Sequence, residues 1–333
     1  MSLQGKHVLI AVLTGALTLA GIVPAMAQNY PNRPVKMIVP FSPGGSSDLT
    51  ARLLAKGAEK YLGQPIVIEN KPGAGAMLGL NELVSSKPDG YTIGITNSGM
   101  VTQPLYGNAR FNYPVDLQAL AQVGEVPFCI AVASEAPWKT LEEFIKYAQD
   151  NPGKIKYGIT GFGNTAHIGP EHLKLEAKFK MDAVNFDGGA PLIAAMLGGH
   201  IQAAGINPVD IKEHIKAGRI RMLVVFGEKR LTDPLFADVP TAREKGYPVV
   251  VTLWQGIGGP KNMPEDVKKK LNDAFGKLIN EPDMQMAIRN LGLEPAYLDA
   301  NGFAKRWVSD QERIKKIVTD TGILEIVKSQ TAK

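Results

Sequence analysis

The stretch VPFSPGGSSD, Val39 to Asp48, carries an apolar, strand-like segment into two glycines, two serines and an aspartate. Glycine admits positive φ and lets another group approach the backbone closely. Ser46, Ser47 and Asp48 are helix-opening residues, and Leu49, Leu53 and Leu54 then fall on one helical face. A plain strand-to-helix turn with its N-cap accounts for such a segment on its own. The further chemistry it offers is a set of bare amides at a helix start, where unpaired N–H groups and the helix dipole favour an anion.

Three more junctions have the same make-up. Asn97 and Ser98 close GYTIGITNSG; Gly161, Gly163, Asn164 and Thr165 end KIKYGITGFGNTAH; Gly188 and Gly189 precede the helical pattern of AVNFDGGAPLIAAML. In open α/β sheets the ligand sits beyond the carboxyl ends of the strands, where such loops converge. Four of them in one chain predict an anion held by neutral donors, with no arginine clamp required.

One loop has a rival explanation. GFGNTA fits G-x-G-x-x-A between a strand and a helix, and Asp182 follows at about the spacing of a ribose-binding acid, as in a dinucleotide site. The remaining catalytic signatures are missing: there is no G-x-S-x-G, no H-E-x-x-H and no G-x-x-x-x-G-K-[ST]. Of the five histidines, His167 and His172 stand five apart, which misses the i, i+4 geometry of a helical metal pair. No metal and no cofactor are expected. His167 either faces a ligand from the start of its helix or serves in packing or capping.

These loops need elements to carry them. Eight short apolar runs read as buried strands: VKMIVPF, PIVIEN, GYTIGIT, FCIAV, KIKYGIT, AVNF, IQAAGI and RIRMLVVF. Many are separated by helical patterns, which predicts an α/β fold with mostly parallel sheets. Leu141, Phe144, Ile145 and Ala148 have helical spacing between Thr140 and Asp150, as do Phe303, Trp307, Ile314 and Val318 near the C-terminus; both are core-facing stripes.

A chain of 333 residues has room for about two domains at ~150 residues each. With 44% apolar and 21% charged residues the composition is globular. The net charge of +5 is spread without a basic block, which argues against nucleic acid as partner. Lys6 and His7, the apolar run Val8 to Val23 and the small residues of Ala25-Met26-Ala27 have the layout of a secretory signal, cleaved after Ala27. Cys129 is the sole cysteine, so no intrachain disulfide can form; within VPFCIAV it reads as a small buried hydrophobe.

Six motifs in order, YPNRPVKMIVPFSPGGSSDLTARLLA, LGQPIVIENKPGAGAMLG, PDGYTIGIT, NPGKIKYGITGFGNTAH, NFDGGAPLIAAMLGGHIQA and DVPTAREKGYP, span essentially the whole mature chain. Together they resemble the Bug family, the periplasmic solute-binding proteins of tripartite tricarboxylate transporters. The resemblance implies a two-lobed class II periplasmic binding protein with its ligand in the cleft. Residues 28–126 with 254–333 would form lobe 1, and 127–253 lobe 2. The chain would cross near Gly124 to Phe128 and near Leu253 to Gly256. It further implies a monomer in the periplasm that captures a small organic carboxylate and delivers it to a membrane permease.

Carried over position by position, the ligand contacts would be Phe41, Ser42, Pro43, Gly44, Gly45, Ser46, Ser47, Asp48, Asn97 and Ser98 from the first lobe. The second would supply Gly161, Phe162, Gly163, Asn164, Thr165, His167, Phe186, Asp187, Gly188, Gly189 and Ala190. Ionised Asp48 would repel an anion, so its expected role is to hold the loop by accepting N–H bonds. Where the family often has Tyr-Lys-Gly-Gly this chain has Phe186-Asp187-Gly188-Gly189, and Gln202 replaces a frequent aspartate. With Phe162 nearby, the expected ligand is a dicarboxylate or an aromatic or otherwise apolar-bodied carboxylate, with citrate-like ligands less favoured but still open. An exported enzyme with His167 as base and a sensor subunit are the alternatives.

Overall fold

The computed structural model describes residues 30–107, 109–186 and 188–331. The leader expected over residues 1–27 and the expected contact Asp187 lie outside the described residues. The chain opens with β1 (Val35–Val39), α1 (Ser46–Leu62), β2 (Ile66–Asn70), α2 (Met77–Ser85) and β3 (Thr92–Asn97). Two short helices, α3 (Gly99–Thr102) and α4 (Tyr113–Asp116), lead into the long β4 (Leu117–Pro127). Then come β5 (Cys129–Ala133), α5 (Leu141–Asp150), β6 (Lys156–Ile159), α6 (Thr165–Glu176), β7 (Asp182–Asn185) and α7 (Gly189–Leu197). After β8 (Ala203–Ile206), α8 (Lys212–Lys216) and β9 (Ile220–Val225), the chain returns through β10 (Thr252–Pro260) and α9 (Glu265–Ile279). It ends with α10 (Pro282–Asn290), β11 (Glu294–Leu298), α11 (Ala300–Asp320) and α12 (Ile323–Thr331).

The strands form two sheets, one in each of two lobes. The six-stranded sheet has the order β11-β4-β10-β3-β1-β2 and the five-stranded sheet β7-β6-β8-β5-β9. All eight apolar runs are strands, but the sheets are mixed. β1 pairs in parallel with β2 and β3, and β6 with β7 and β8, whereas β10 and β4, β10 and β3, β11 and β4, and β5 with both β8 and β9 are antiparallel. The expectation of mostly parallel sheets fails because β4, β10 and β11 escaped notice. In β10, TLWQGIGGP, glycines replace the side chains whose alternation marks a strand.

In the first lobe, residues of β1 face alternately. Val35, Met37 and Val39 pack with Leu54 of α1 and Leu271 and Phe275 of α9, while Ile38 joins Leu83 of α2 and Trp307 of α11 on the other side. The buried stripe of α1 is Ala51, Leu54, Ala58 and Leu62. Leu49 does not belong to it; it is 42% exposed, because the first turn instead buries Ser47, Asp48 and Thr50. The helix predicted between Thr140 and Asp150 is α5, with the Thr140 hydroxyl accepting from the Glu143 amide. Cys129 is fully buried, its thiol donating to the Ile206 carbonyl and pushed well above its ordinary pKa chiefly by burial.

Where the two sheets meet, α11 ties together the strands that run between them. Arg306 pairs with Glu125 of β4 at 2.6 Å, and donates to Gln122 of β4 at 3.0 Å and to Thr252 of β10 at 2.7 Å. Asp310, one turn on, accepts from Trp254 Nε1 of β10 at 2.8 Å and from Arg313 at 2.7 Å. Each buried charge is thus met by an opposite charge and by neutral partners, the condition under which burial is tolerated.

Candidate functional site

The loop after β1 is built around Asp48. Its carboxylate accepts from the Gly44 amide, Arg52 Nε and Asn70 Nδ2, each at 2.9 Å, and Asn70 Nδ2 also reaches the Phe41 carbonyl at 3.0 Å. The bond from Arg52, ahead of the opposing cost of burial and the Gly44 and Asn70 bonds, holds its pKa down at about 2. Asp48 therefore fastens the loop and offers no charge to a ligand. The N-cap is Gly45, which has no side chain to close the helix start. Ser46 Oγ accepts from Gln255 Nε2 of β10 at 2.9 Å.

The loop after β6 is built around His167. Asn164 caps α6, its Oδ1 accepting from the His167 amide at 3.2 Å, while His167 Nδ1 accepts from the Gly163 amide at 3.1 Å. An accepting Nδ1 requires a neutral ring with its proton on Nε2. Burial, helped by the charge of Lys174, lowers its pKa to about 4, so the ring stays neutral at physiological pH. The amides of Thr165 and Ala166, in the first turn of the helix, are left over by helix geometry.

Between the lobes lies a cavity of about 470 Å³. The first lobe contributes Phe41, Asn97, Ser98 and Gln103 to it, and the second Phe162, Gly163, Asn164 and Thr165; among the described residues no charged side chain lines it. Ser98 is 4% exposed and its Oγ has no hydrogen-bond partner among the described residues. Buried hydroxyls ordinarily have one. A second space of about 10 Å³, big enough for about one water, lies between Ser98, Thr165, Thr252 and Arg313.

Tyr106 closes the cavity across the lobes, its hydroxyl donating to the Gly163 carbonyl at 2.6 Å in a buried bond. A side chain at Gly163 would be both strained and crowded. Its φ is +74°, and a Cβ would stand 2.7 Å from the Tyr106 ring and 2.8 Å from Val327 of α12.

Of the residues expected to touch a ligand, the structure brings Phe41, Asn97, Ser98, Phe162, Gly163, Asn164 and Thr165 to one cavity. Ser42 to Ser46 stay exposed on the neighbouring loop, and Ser47 and Asp48 are buried in α1. Gly161 sits just before the lining residues, and His167 is 1% exposed behind them, occupied in holding the loop. Phe186 packs into the core of the second lobe. Gly188, at φ +115°, caps α7, and Gly189 and Ala190 line a separate cavity with Ile193, Asp210 and His214 that draws on one lobe only. Asp210 lies against this helix start, its Oδ2 3.6 Å from where a Cβ on Gly189 would stand.

The dinucleotide reading fails on register. Asp182 pairs with Lys156 at the start of β7, while the glycine loop follows Ile159 at the far end of the parallel β6. Three residues of strand, about 10 Å, separate that acid from where a ribose would need it. Sequence reasoning also missed Gly75, Gly99, Thr102, Gln103, Tyr106, Leu253 and Val327. Gly75 lay in the quoted motif NKPGAGAM, whereas Tyr106, Leu253 and Val327 come from segments with no glycine-rich or polar signature.

Residues 50–323 match the model of the tripartite tricarboxylate transporter family receptor. A Cupriavidus necator protein described as UPF0065 is 33% identical over 332 residues, covering 96% of this chain and 99% of its own. Protein BugT of Bordetella pertussis is 30% identical, covering 94% and 97%. Among solved structures, a TctC solute-binding protein from Polaromonas superimposes with TM-score 0.80 at 28% identity, covering 87% of this chain and 99% of that one. A Rhodopseudomonas palustris protein with adipate gives TM-score 0.73 at 26% identity, covering 88% and 98%. MatC of the same organism, with bound malate, gives 0.68 at 28% identity, covering 87% and 100%.

Proposed function

The chain belongs to the tripartite tricarboxylate transporter receptor family, and from that premise we propose that its inter-lobe cavity captures a small organic carboxylate in the periplasm for delivery to a membrane permease. Members of this family and the structural relatives are solute-binding proteins, so the chain is a receptor and not a catalyst. The observation that carries the carboxylate reading is a cavity lined by polar residues from both lobes, Asn97 and Ser98 on one side and Asn164 and Thr165 on the other, with no charged side chain among the described residues that line it. Hydrogen-bond donors in a low-dielectric cleft stabilise a carboxylate more than they would in water. The structural relatives with adipate and malate support the same class of ligand.

The proposed lobes are 28–126 with 254–333, and 127–253. In support, β1 to β4, β10 and β11 share one sheet and β5 to β9 the other. A ligand favours the closed arrangement only through contacts it makes in that state alone, and residues 97–98 and 163–165 offer them from opposite sides. The periplasmic address rests on the leader pattern before Gln28; among the described residues no helix is long and apolar enough to cross a membrane.

A thermal-shift screen of mono-, di- and tricarboxylates, followed by calorimetry, tests the reading, since a ligand specific to the native state raises its apparent stability. A carboxylate that binds wild type and is lost on Asn164→Trp supports it. Binding only of cations or neutral solutes would overturn it.

A further inference from the structure

The crossing strands have a second side. The candidate site lies toward β3 in the sheet order, while on the β11 side of β4 a larger cavity, about 590 Å³, opens between the same two lobes. Its size suits a small-molecule site. Val126 and Pro127, at the first crossing, form its base, and Val209, Leu231, Phe236 and Leu293 give it apolar walls.

The lobes touch around this cavity. The Thr232 amide and hydroxyl donate to the two carboxylate oxygens of Glu294 at 3.0 and 2.5 Å. Gly292, at φ +80°, lies so close to Val209 that a Cβ would stand 2.5 Å from its Cγ2. Polar groups in the cavity are thus unequally used. Asp233 holds Lys212 at 2.6 Å and accepts from the Leu235 amide, and Glu294 is occupied by Thr232. The guanidinium of Arg289, an exposed lining residue, has no hydrogen bond or ion pair among the described residues.

We propose that this hinge-side cavity is a second ligand site, taking a small anion with an apolar body whose charged end pairs with Arg289. A guanidinium presents five donors that match a carboxylate or sulfonate, and both acids nearby are already engaged. The apolar walls take the rest of such a molecule. Because the cavity is formed by both lobes, occupancy is coupled to their relative position, and any coupling to the cleft is reciprocal. The proposal stands independently of the carboxylate reading of the cleft.

The test uses the full mature chain with 1-anilinonaphthalene-8-sulfonate, an apolar-bodied anion whose fluorescence reports burial, and octanoate as competitor. One saturable probe site is expected, displaced by octanoate. Arg289→Met and Val209→Asp should each weaken it about tenfold or more, as loss of a charge-assisted bond implies, and Arg289→Lys should recover part of the loss. Both altered positions are solvent-exposed, so folding is expected to survive; a wild-type melting temperature verifies it. Ser98→Ala, in the cleft, should leave probe affinity unchanged. Probe binding within twofold of wild type in both Arg289→Met and Val209→Asp, or lost instead in Ser98→Ala, would overturn the proposal.

Discussion

Replacing Tyr106 by Phe removes one oxygen and nothing else from the contact that joins the lobes. In the native structure that hydroxyl donates to the Gly163 carbonyl at 2.6 Å, where both residues are buried. Burial also raises its pKa, so it remains a donor throughout the physiological range. Without it a buried carbonyl loses its partner, a change that costs about 1–2 kcal/mol. The bond exists only when the lobes are together, so the loss falls on the closing step and not on the stability of either lobe. Where the open form dominates before ligand arrives, the whole cost appears in affinity, which corresponds to Kd weakened by about 5- to 30-fold. Calorimetric titration of wild type and Tyr106→Phe with a carboxylate found by screening measures it. Gly163→Ala, whose Cβ would stand 2.7 Å from the same ring, should be at least as damaging, and the double variant should lose less than the sum, since the two changes break one contact. Affinities of Tyr106→Phe within twofold of wild type would refute the view that this bond helps to hold the cleft shut.

Ser98→Ala should weaken carboxylate binding by about 1.5–3 kcal/mol, or roughly 10- to 150-fold, if the free hydroxyl donates to the charge; calorimetry with an unchanged melting temperature is the check. His167 has its folded pKa lowered to about 4 from an ordinary 6.5. Between these values the unfolded chain binds the extra proton, so the stabilisation is complete above pH 6.5 and is lost as pH falls toward 4, by up to about 3 kcal/mol. Urea titrations across that window should show the fall, and His167→Gln should flatten it. Asp48→Asn places an amide where the Gly44 amide and Arg52 both donate; a loss of about 2–3 kcal/mol in unfolding free energy is expected.

Much of the scaffold was legible because its strands are apolar runs with clear borders. VKMIVPF and RIRMLVVF bury nearly every residue and announce themselves by composition alone. β10 did not, since Gly256 and Gly258 make room for Phe303 and Trp307, neighbours distant in the chain, and Gly259 for Met263. The site divides along the same line. Asn97, Ser98 and Gly163 to Thr165 were readable as donors at strand ends, because that chemistry is local. Tyr106 and Val327 became part of the cavity only when the two lobes met, and no local pattern encodes that meeting. The loop at Gly188 and Gly189 has the same composition, but Gly189 lines a separate cavity with Asp210 against it.

Arg306 grips both strands that pass between the lobes, and Asp310 holds Trp254 of one of them from the next turn of α11. Neither half can then come apart without dragging on a knot that the other half shares. Scanning calorimetry of the intact receptor should accordingly record one melting peak, with calorimetric and van't Hoff enthalpies in agreement, and Arg306→Met should split it in two. A molecule that hinges for its work would in this way keep the thermal cooperativity of a single body.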